Sequence, residues 1–177
     1  MDTPKNEKPP KRTGVLSGIS DIKMKIIDTL ISDMELCKLL RYGSTDVLSR
    51  PDLTEDERYA LVDNAVYGYR YIPDVVKEQK SFVSMELANF VPQEGFRQFS
   101  DDYVMGYVIF YILVDQSIMK TDSGYRQDLI QGRVYDLFQE NIGFGIGELR
   151  MEVLQPLWAH DNKFGGYTVS FGITDFK

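Results

Sequence analysis

The chain holds a single histidine, His160, and a single cysteine, Cys37. Nucleophilic catalysis through serine or cysteine ordinarily needs a histidine base. His160 sits beside Asp161 in AHDNKFGG, a stretch that reads as a hairpin tip, so its plain reading is a turn histidine in solvent. One histidine with one cysteine cannot supply the ligands of a zinc site. Cys37 has no partner for an internal disulfide and reads as a small hydrophobe buried in a helix. Gly143, Gly145 and Gly147 imitate a dinucleotide fingerprint. That motif follows a strand and opens a helix, whereas this one follows a helix and opens a strand. Asp52, Glu55, Asp56 and Glu57 crowd together without calcium-loop spacing, and acids in the first turn of a helix are expected from its dipole alone. The strongest enzymatic arrangement is a carboxylate–metal site drawn from Asp101 and Asp102 with Glu86 or Asp115, of the kind that cleaves phosphodiesters with two metals. Apart from Arg97, basic side chains to hold such a substrate are sparse. The pair at 101–102 therefore reads as polarity at a strand entry, and the chain as a non-enzyme without metal or cofactor.

The elements that position these residues centre on YVMGYVIFYILVD, Tyr103 to Asp115. Alternate residues on both faces of this run are apolar, and most are β-branched or aromatic. At ~3.3 Å per residue it spans roughly 40 Å, about twice an ordinary strand. Such a strand belongs in the middle of a sheet, covered on each side by helices or by another subunit. Ser81 to Phe90 alternates as a second strand and pairs with it as an antiparallel hairpin through the 92–102 loop. Tyr125 to Asn141 reads as a helix with Ile130, Val134, Leu137 and Phe138 on one face, ended by Gly143. Ile142, Phe144 and Ile146 alternate, and the phase slip at Gly147 predicts a β-bulge. The last strand runs from Tyr167 to Phe176, closing a second hairpin.

Upstream, Ile22, Ile26, Ile27, Leu30 and Met34 make a helical stripe, with Ser20 as its expected N-cap. Ser32 and Asp33 are placed to break or restart this helix before Leu36, Leu39 and Leu40, and Gly43 stops it. Thr54 and Glu57 spell a capping box for a short second helix. Tyr67 to Tyr71 and Ile72-Pro73 read as extended. The expected fold is α+β: a four-stranded, mainly antiparallel sheet, made of two hairpins separated by a helix, packed with N-terminal helices.

At 177 residues with 43% hydrophobic content the chain predicts one domain, 18–177, behind a disordered basic tail, 1–17. The start lacks the apolar core of a signal peptide, which predicts residence in the cytoplasm, and no run is long enough to span a membrane. Residues 1–25 carry six Lys or Arg against three acids, a net of +3, so with −7 overall the remainder carries −10. An acidic body is unsuited to gripping nucleic-acid phosphate over a broad surface and suits protein partners.

The order ISDMELCKLLRYG, RYIPDVV, SFVSMELANF and the ending GIGELRMEVLQPLWAHDNKFGGYTVSFGITDF resemble tailed-bacteriophage head–tail joining proteins. Tail terminator and neck proteins in particular end in a strand, a turn with GY and a final alternating strand. The likeness spans roughly residues 20–177 and rests on patterns of polarity. It implies a virion protein, assembled in the host cytoplasm, that forms a homo-oligomeric ring, commonly a hexamer. Such a ring caps the tail tube and docks to the head connector, touching a sheath where one is present. A neck or tail-completion adaptor is the adjacent expectation. DNA would pass the lumen without tight binding. The natural docking elements are Lys5, Lys8, Lys11 and Arg12 in the tail, Arg97, Asp101 and Asp102 in the 92–102 loop, and His160, Asp161, Asn162 and Lys163 in the last turn.

Overall fold

The computed structural model describes residues 18–73, 79–92, 103–161 and 163–176. Among these residues, three α-helices cover one face of a five-stranded sheet of order β1-β2-β3-β7-β6, a short fourth lies against the first of them, and a two-stranded ribbon, β4-β5, stands apart. The helices are α1 (Ile19–Ser32), α2 (Met34–Arg41), α3 (Glu55–Tyr59) and α4 (Arg126–Phe138). The strands are β1 (Val66–Tyr67), β2 (Ser81–Pro92), β3 (Tyr103–Asp115), β4 (Lys120–Thr121), β5 (Gly124–Tyr125), β6 (Glu148–Ala159) and β7 (Phe164–Phe176).

The long apolar run forms β3 over the whole span read from its sequence. It lies at the centre, antiparallel to β2 on one side and β7 on the other. Val108, Phe110, Ile112 and Val114 face the helices and are fully buried. There Phe110 meets Phe138 of α4 at 4.7 Å and Phe171 of β7 edge-on at 5.9 Å. The opposite face has no helix on it among the described residues. At one end it carries a small cluster of Tyr67, Phe82, Leu113 and Phe164, overlaid by Tyr71, which stacks on Tyr67 at 3.9 Å. Farther along, Tyr107 and Ile109 remain half-exposed. The fold is thus two-layered, where apolarity on both faces led us to expect cover on both.

The two antiparallel hairpins, β2-β3 and β6-β7, are present with α4 between them. The fifth strand is the correction to the four-stranded expectation: β1 pairs in parallel with β2, Val66 opposite Val83 and Tyr67 opposite Ser84. Two residues are too few to show alternation, and only the pairing makes them a strand. Lys120 to Tyr125 is a tight ribbon that turns into α4 through Gly124 at φ 135°.

Helix boundaries moved for local reasons. α1 begins at Ile19 behind Gly18, which offers no side-chain cap, so Ser20 lies within the first turn. Asp33 does interrupt the helix: its backbone is extended, and its carboxylate accepts from the Leu36 N–H at 2.7 Å to start α2. The same carboxylate pairs with Arg133 of α4, tying the joint between α1 and α2 to the sheet-covering helix. The Thr54–Glu57 capping box forms in both directions. α4 ends at Phe138, five residues before Gly143, because Gln139 is extended and Glu140 takes a left-handed φ of 59°. Glu140 N–H then bonds Leu149 O, and Leu149 N–H bonds Asn141 O. Ile142 to Ile146 is consequently a pair of turns, not a strand, and its alternation reflects Phe144 and Ile146 tucked inward with Ile142 exposed. The bulge lies in β6 between Met151 and Val153, displaced from Gly147.

Gly166 is where the sheet tolerates no side chain. A Cβ there would sit 2.0 Å from the Ile112 carbonyl oxygen of β3. Gly166→Ala must push β7 from β3 along the central pairing, and we expect a loss of about 3 kcal/mol in urea unfolding. An alanine variant within about 0.5 kcal/mol of wild type would show that the strands can part freely.

Candidate interaction surfaces

Most of the side chains singled out for docking fall outside the described residues: Lys5, Lys8, Lys11, Arg12, Arg97, Asp101, Asp102 and Asn162. The rest of the last turn is tethered inward. His160 is half-buried, not a solvated turn histidine: its Nε2 hydrogen-bonds the Pro73 carbonyl, and its ring meets Phe164 edge-on at 6.2 Å. His160 and Asp161 both adopt left-handed backbone, φ 51° and 50°, which closes the turn and leaves Asp161 exposed. Lys163 lies 5.4 Å over the Phe164 ring and 3.8 Å from the Asp115 carboxylate.

Two acids weighed for a metal site are held apart. Glu86 stands opposite Ile109 in the sheet, while Asp115 ends the same strand six residues on, about 20 Å away by strand rise. Asp115 is buried and accepts from the Ser117 N–H and hydroxyl, as the cap of a short turn. Glu86 accepts the Tyr111 hydroxyl, and Arg70 lies 5.0 Å above the Tyr111 ring. Burial, then the Glu86 carboxylate, push the Tyr111 phenol up to about 12. This trio links the 68–73 segment to the open face of the sheet. No group of metal-binding side chains occurs among the described residues.

Cys37 is fully buried and donates to the Ile31 carbonyl at 3.2 Å. Burial pushes its thiol up to about 12, with Arg58 opposing and Asp33 adding to the rise. A folded thiol that keeps its proton while the unfolded one ionises near 9 contributes stability below that pH, which is lost as pH climbs toward 12. Each pH unit in that window removes about 1.4 kcal/mol from this group. Urea unfolding at about pH 8 and about pH 11 should therefore cost wild type roughly 2–3 kcal/mol more than Cys37→Ala. Equal alkaline losses in the two proteins would mean that the thiol is not held in its neutral form.

The surface that sequence reasoning missed is the rim of the sheet. β6 is the outermost strand, paired on one side only, with β7. Along it Val153 and Leu154 are about two-fifths exposed and Trp158 just over half. The Trp158 ring lies across Gly165, where a Cβ would sit 2.6 Å from it. The strand also carries the usual edge devices: the bulge after Met151, Pro156, and Glu148, Arg150 and Glu152 at its start. The charges and the bulge lie in its first half, and the Val153–Trp158 half holds Pro156 but no charge. Pro156 was the signal available beforehand, since a proline within a sheet belongs to an edge strand. At the other rim β1 pairs only with Val83 and Ser84, so β2 beyond Ser84 has no outer strand among the described residues.

No helix among the described residues is long and apolar enough to cross a membrane. No curated protein and no solved structure matches the chain. Residues 33–173, from the Asp33 cap through nearly all of β7, match YomW. With the greater part of its length covered, the chain belongs to the YomW family, which is phage-derived.

Proposed function

We propose that this chain is a structural subunit of a tailed-phage particle that joins copies of itself into a ring at the head–tail junction, as a tail terminator. The observation that carries this reading is the apolar half of the edge strand β6, with Val153, Leu154 and Trp158 exposed beside unpaired backbone. A strand edge flanked by exposed apolar side chains is a template for another chain, and aromatic side chains anchor protein interfaces. Phage descent of the family supports a particle component. A head-to-tail contact between different surfaces closes into a ring when its rotation permits, here of about six copies. The net charge of −7 suits a ring through which DNA passes without being gripped. Its protein partners are then the tail tube, a sheath in contractile tails, and the head connector.

Light scattering on the purified protein, with negative-stain images of the same fraction, tests this. Assemblies of about six 20.4 kDa chains with a central hole are expected. A monomer at all concentrations, both alone and mixed with purified tail tubes, sinks the ring.

A further inference from the structure

Four antiparallel strands, β2, β3, β7 and β6, make up the body of the sheet from one rim to the other. In an antiparallel ladder the N–H and C=O of one residue point to one neighbouring strand, and those of the next residue to the other. The Asp115 N–H donates to Lys80 O, so Asp115, Leu113 and Tyr111 turn their backbone groups toward β2. Val114, Ile112 and Phe110 turn theirs toward β7. Carried across the registers, Leu154, Pro156 and Trp158 point outward from β6, and Val83, Met85 and Leu87 point outward from β2. The Val83 N–H does leave β2 on that side, donating to Ala65 O at 2.8 Å just before β1. Pro156 fits its place, since an outward position is the one where a missing N–H breaks no rung of the sheet.

These outward residues all stand on the helix side, in register with Val108, Phe110, Ile112 and Val114. The even number of antiparallel strands is the cause: the two rims run in opposite directions and present matching rows. A copy that is rotated but not flipped can therefore set its β6 against β2 of the next as an antiparallel strand, with both helix layers on one side. The stretch of β2 without an outer strand among the described residues is bounded at both ends. β1 takes the place beside Val83 and Ser84, and Asn89, at a left-handed φ of 55°, starts the bulge between Ala88 and Val91. Residues 85–88 lie between. On β6 the uncharged stretch ends at Ala159, where the chain turns back into β7.

We propose that β6 of one copy adds to residues 85–88 of β2 in the next, joining their sheets into one; this rests on the reading of the chain as a self-assembling ring. With Ala159 stopping where β1 begins to occupy the rim, Trp158 pairs with Met85 of the next copy and Pro156 with its Leu87. The Trp158 N–H gives to Met85 O, the Met85 N–H to Trp158 O, and the Leu87 N–H to Pro156 O. The Leu87 carbonyl is the acceptor left without a donor, because proline has none to give. On the helix side the indole and the proline ring lie level with Met85 and Leu87. On the open side Leu157 and Gln155 stand beside Glu86 and Ala88. No pair along this joint brings like charges together.

Cysteine cross-linking in the full chain tests the joint, since Cys37 is the only native thiol and is buried. Gln155 and Ala88 of the next copy face each other as a non-hydrogen-bonded pair, the closer kind. Gln155→Cys mixed with Ala88→Cys should form an oxidised dimer that neither variant forms alone. The double variant should give a ladder reaching about six chains. Val153→Cys mixed with Ala88→Cys, out of register along the strand, should cross-link about tenfold more slowly. Pro156→Val supplies the missing donor and should tighten assembly roughly two- to tenfold by light scattering, a gain that a contact made by side chains alone would not show. Assemblies in which the Gln155 and Ala88 variants react no faster than the offset pair, or which Pro156→Val fails to tighten, would overturn the strand pairing and leave the ring intact. Chains that stay monomeric by light scattering and do not cross-link would overturn both. Cross-linking into open polymers instead of closed assemblies would uphold the joint and overturn the ring.

Discussion

Replacing Arg126 with methionine should cost about 3–5 kcal/mol of folding stability, the largest single-site loss expected here. The side chain is fully buried and donates to Ile118 O at 2.8 Å, Leu39 O at 2.9 Å, Tyr42 O at 2.7 Å and Ser44 O at 2.9 Å. Two of those carbonyls lie at the end of α2, where a helix leaves its last carbonyls without intrahelical donors. The other two belong to the chain that leaves α2 and to the turn after β3. One guanidinium thus fastens the start of α4 to the end of α2 and the chain leaving it, more than eighty residues away in sequence, and to the nearby turn after β3, and methionine fills its volume while leaving four acceptors short of donors. Arg126→Lys should recover only part of the loss, because an ammonium on a flexible stem cannot present a planar fork to four carbonyls. Urea unfolding with an unchanged m-value is the measurement. A methionine variant within about 1 kcal/mol of wild type would mean that water or rearranged backbone satisfies those carbonyls.

Much of the fold was legible because its signals are local. β3 is apolar on both faces and therefore central, and the structure gives it partners on both sides. Thr54 and Glu57 form the capping box their spacing spells, and Asp33 breaks the helix where a short polar side chain can cap the next one. What escaped was made by contacts distant in sequence. β1 is two residues long and exists through its pairing with Val83 and Ser84. Phe144 and Ile146 mimic a strand because two turns point both of them inward.

The candidate sites were harder to read for the same reason. Arg126 opens α4 within YRQDL and looks like an ordinary polar helix start, since nothing nearby in sequence announces its carbonyls at 39, 42 and 44. His160 was read as solvated because a hairpin tip usually is; it is the Pro73 carbonyl, far away in sequence, that holds it. The edge of the sheet could have been identified from Pro156 alone, and with it the surface on which the proposed assembly rests.

That surface supplies the second large effect. Trp158 is the chain's single tryptophan and is 53% exposed, so its fluorescence reports directly on whether the β6 edge is covered. On dilution of the assembled protein its emission should shift to longer wavelength at the concentration where light scattering shows subunits parting. Trp158→Ala should weaken each contact by about 2–4 kcal/mol, the range for a buried aromatic anchor, or roughly 30- to 1000-fold per interface. Because every subunit in a ring makes two such contacts, that loss should empty the ring population at micromolar protein. The variant's own folding must be checked, since the indole also covers Gly165 near Met119. Val153→Lys answers that concern: Val153 is exposed on the opposite face of β6, and a charge there should repel a docked strand while leaving the monomer's melting temperature nearly unchanged. If both variants assemble as wild type does, or if Trp158 emission is the same in assembled and dissociated protein, β6 is not the joining edge. The contact would then fall to the β2 rim or to the open face around Tyr107 and Ile109, the remaining surfaces on which a partner could complete the sheet.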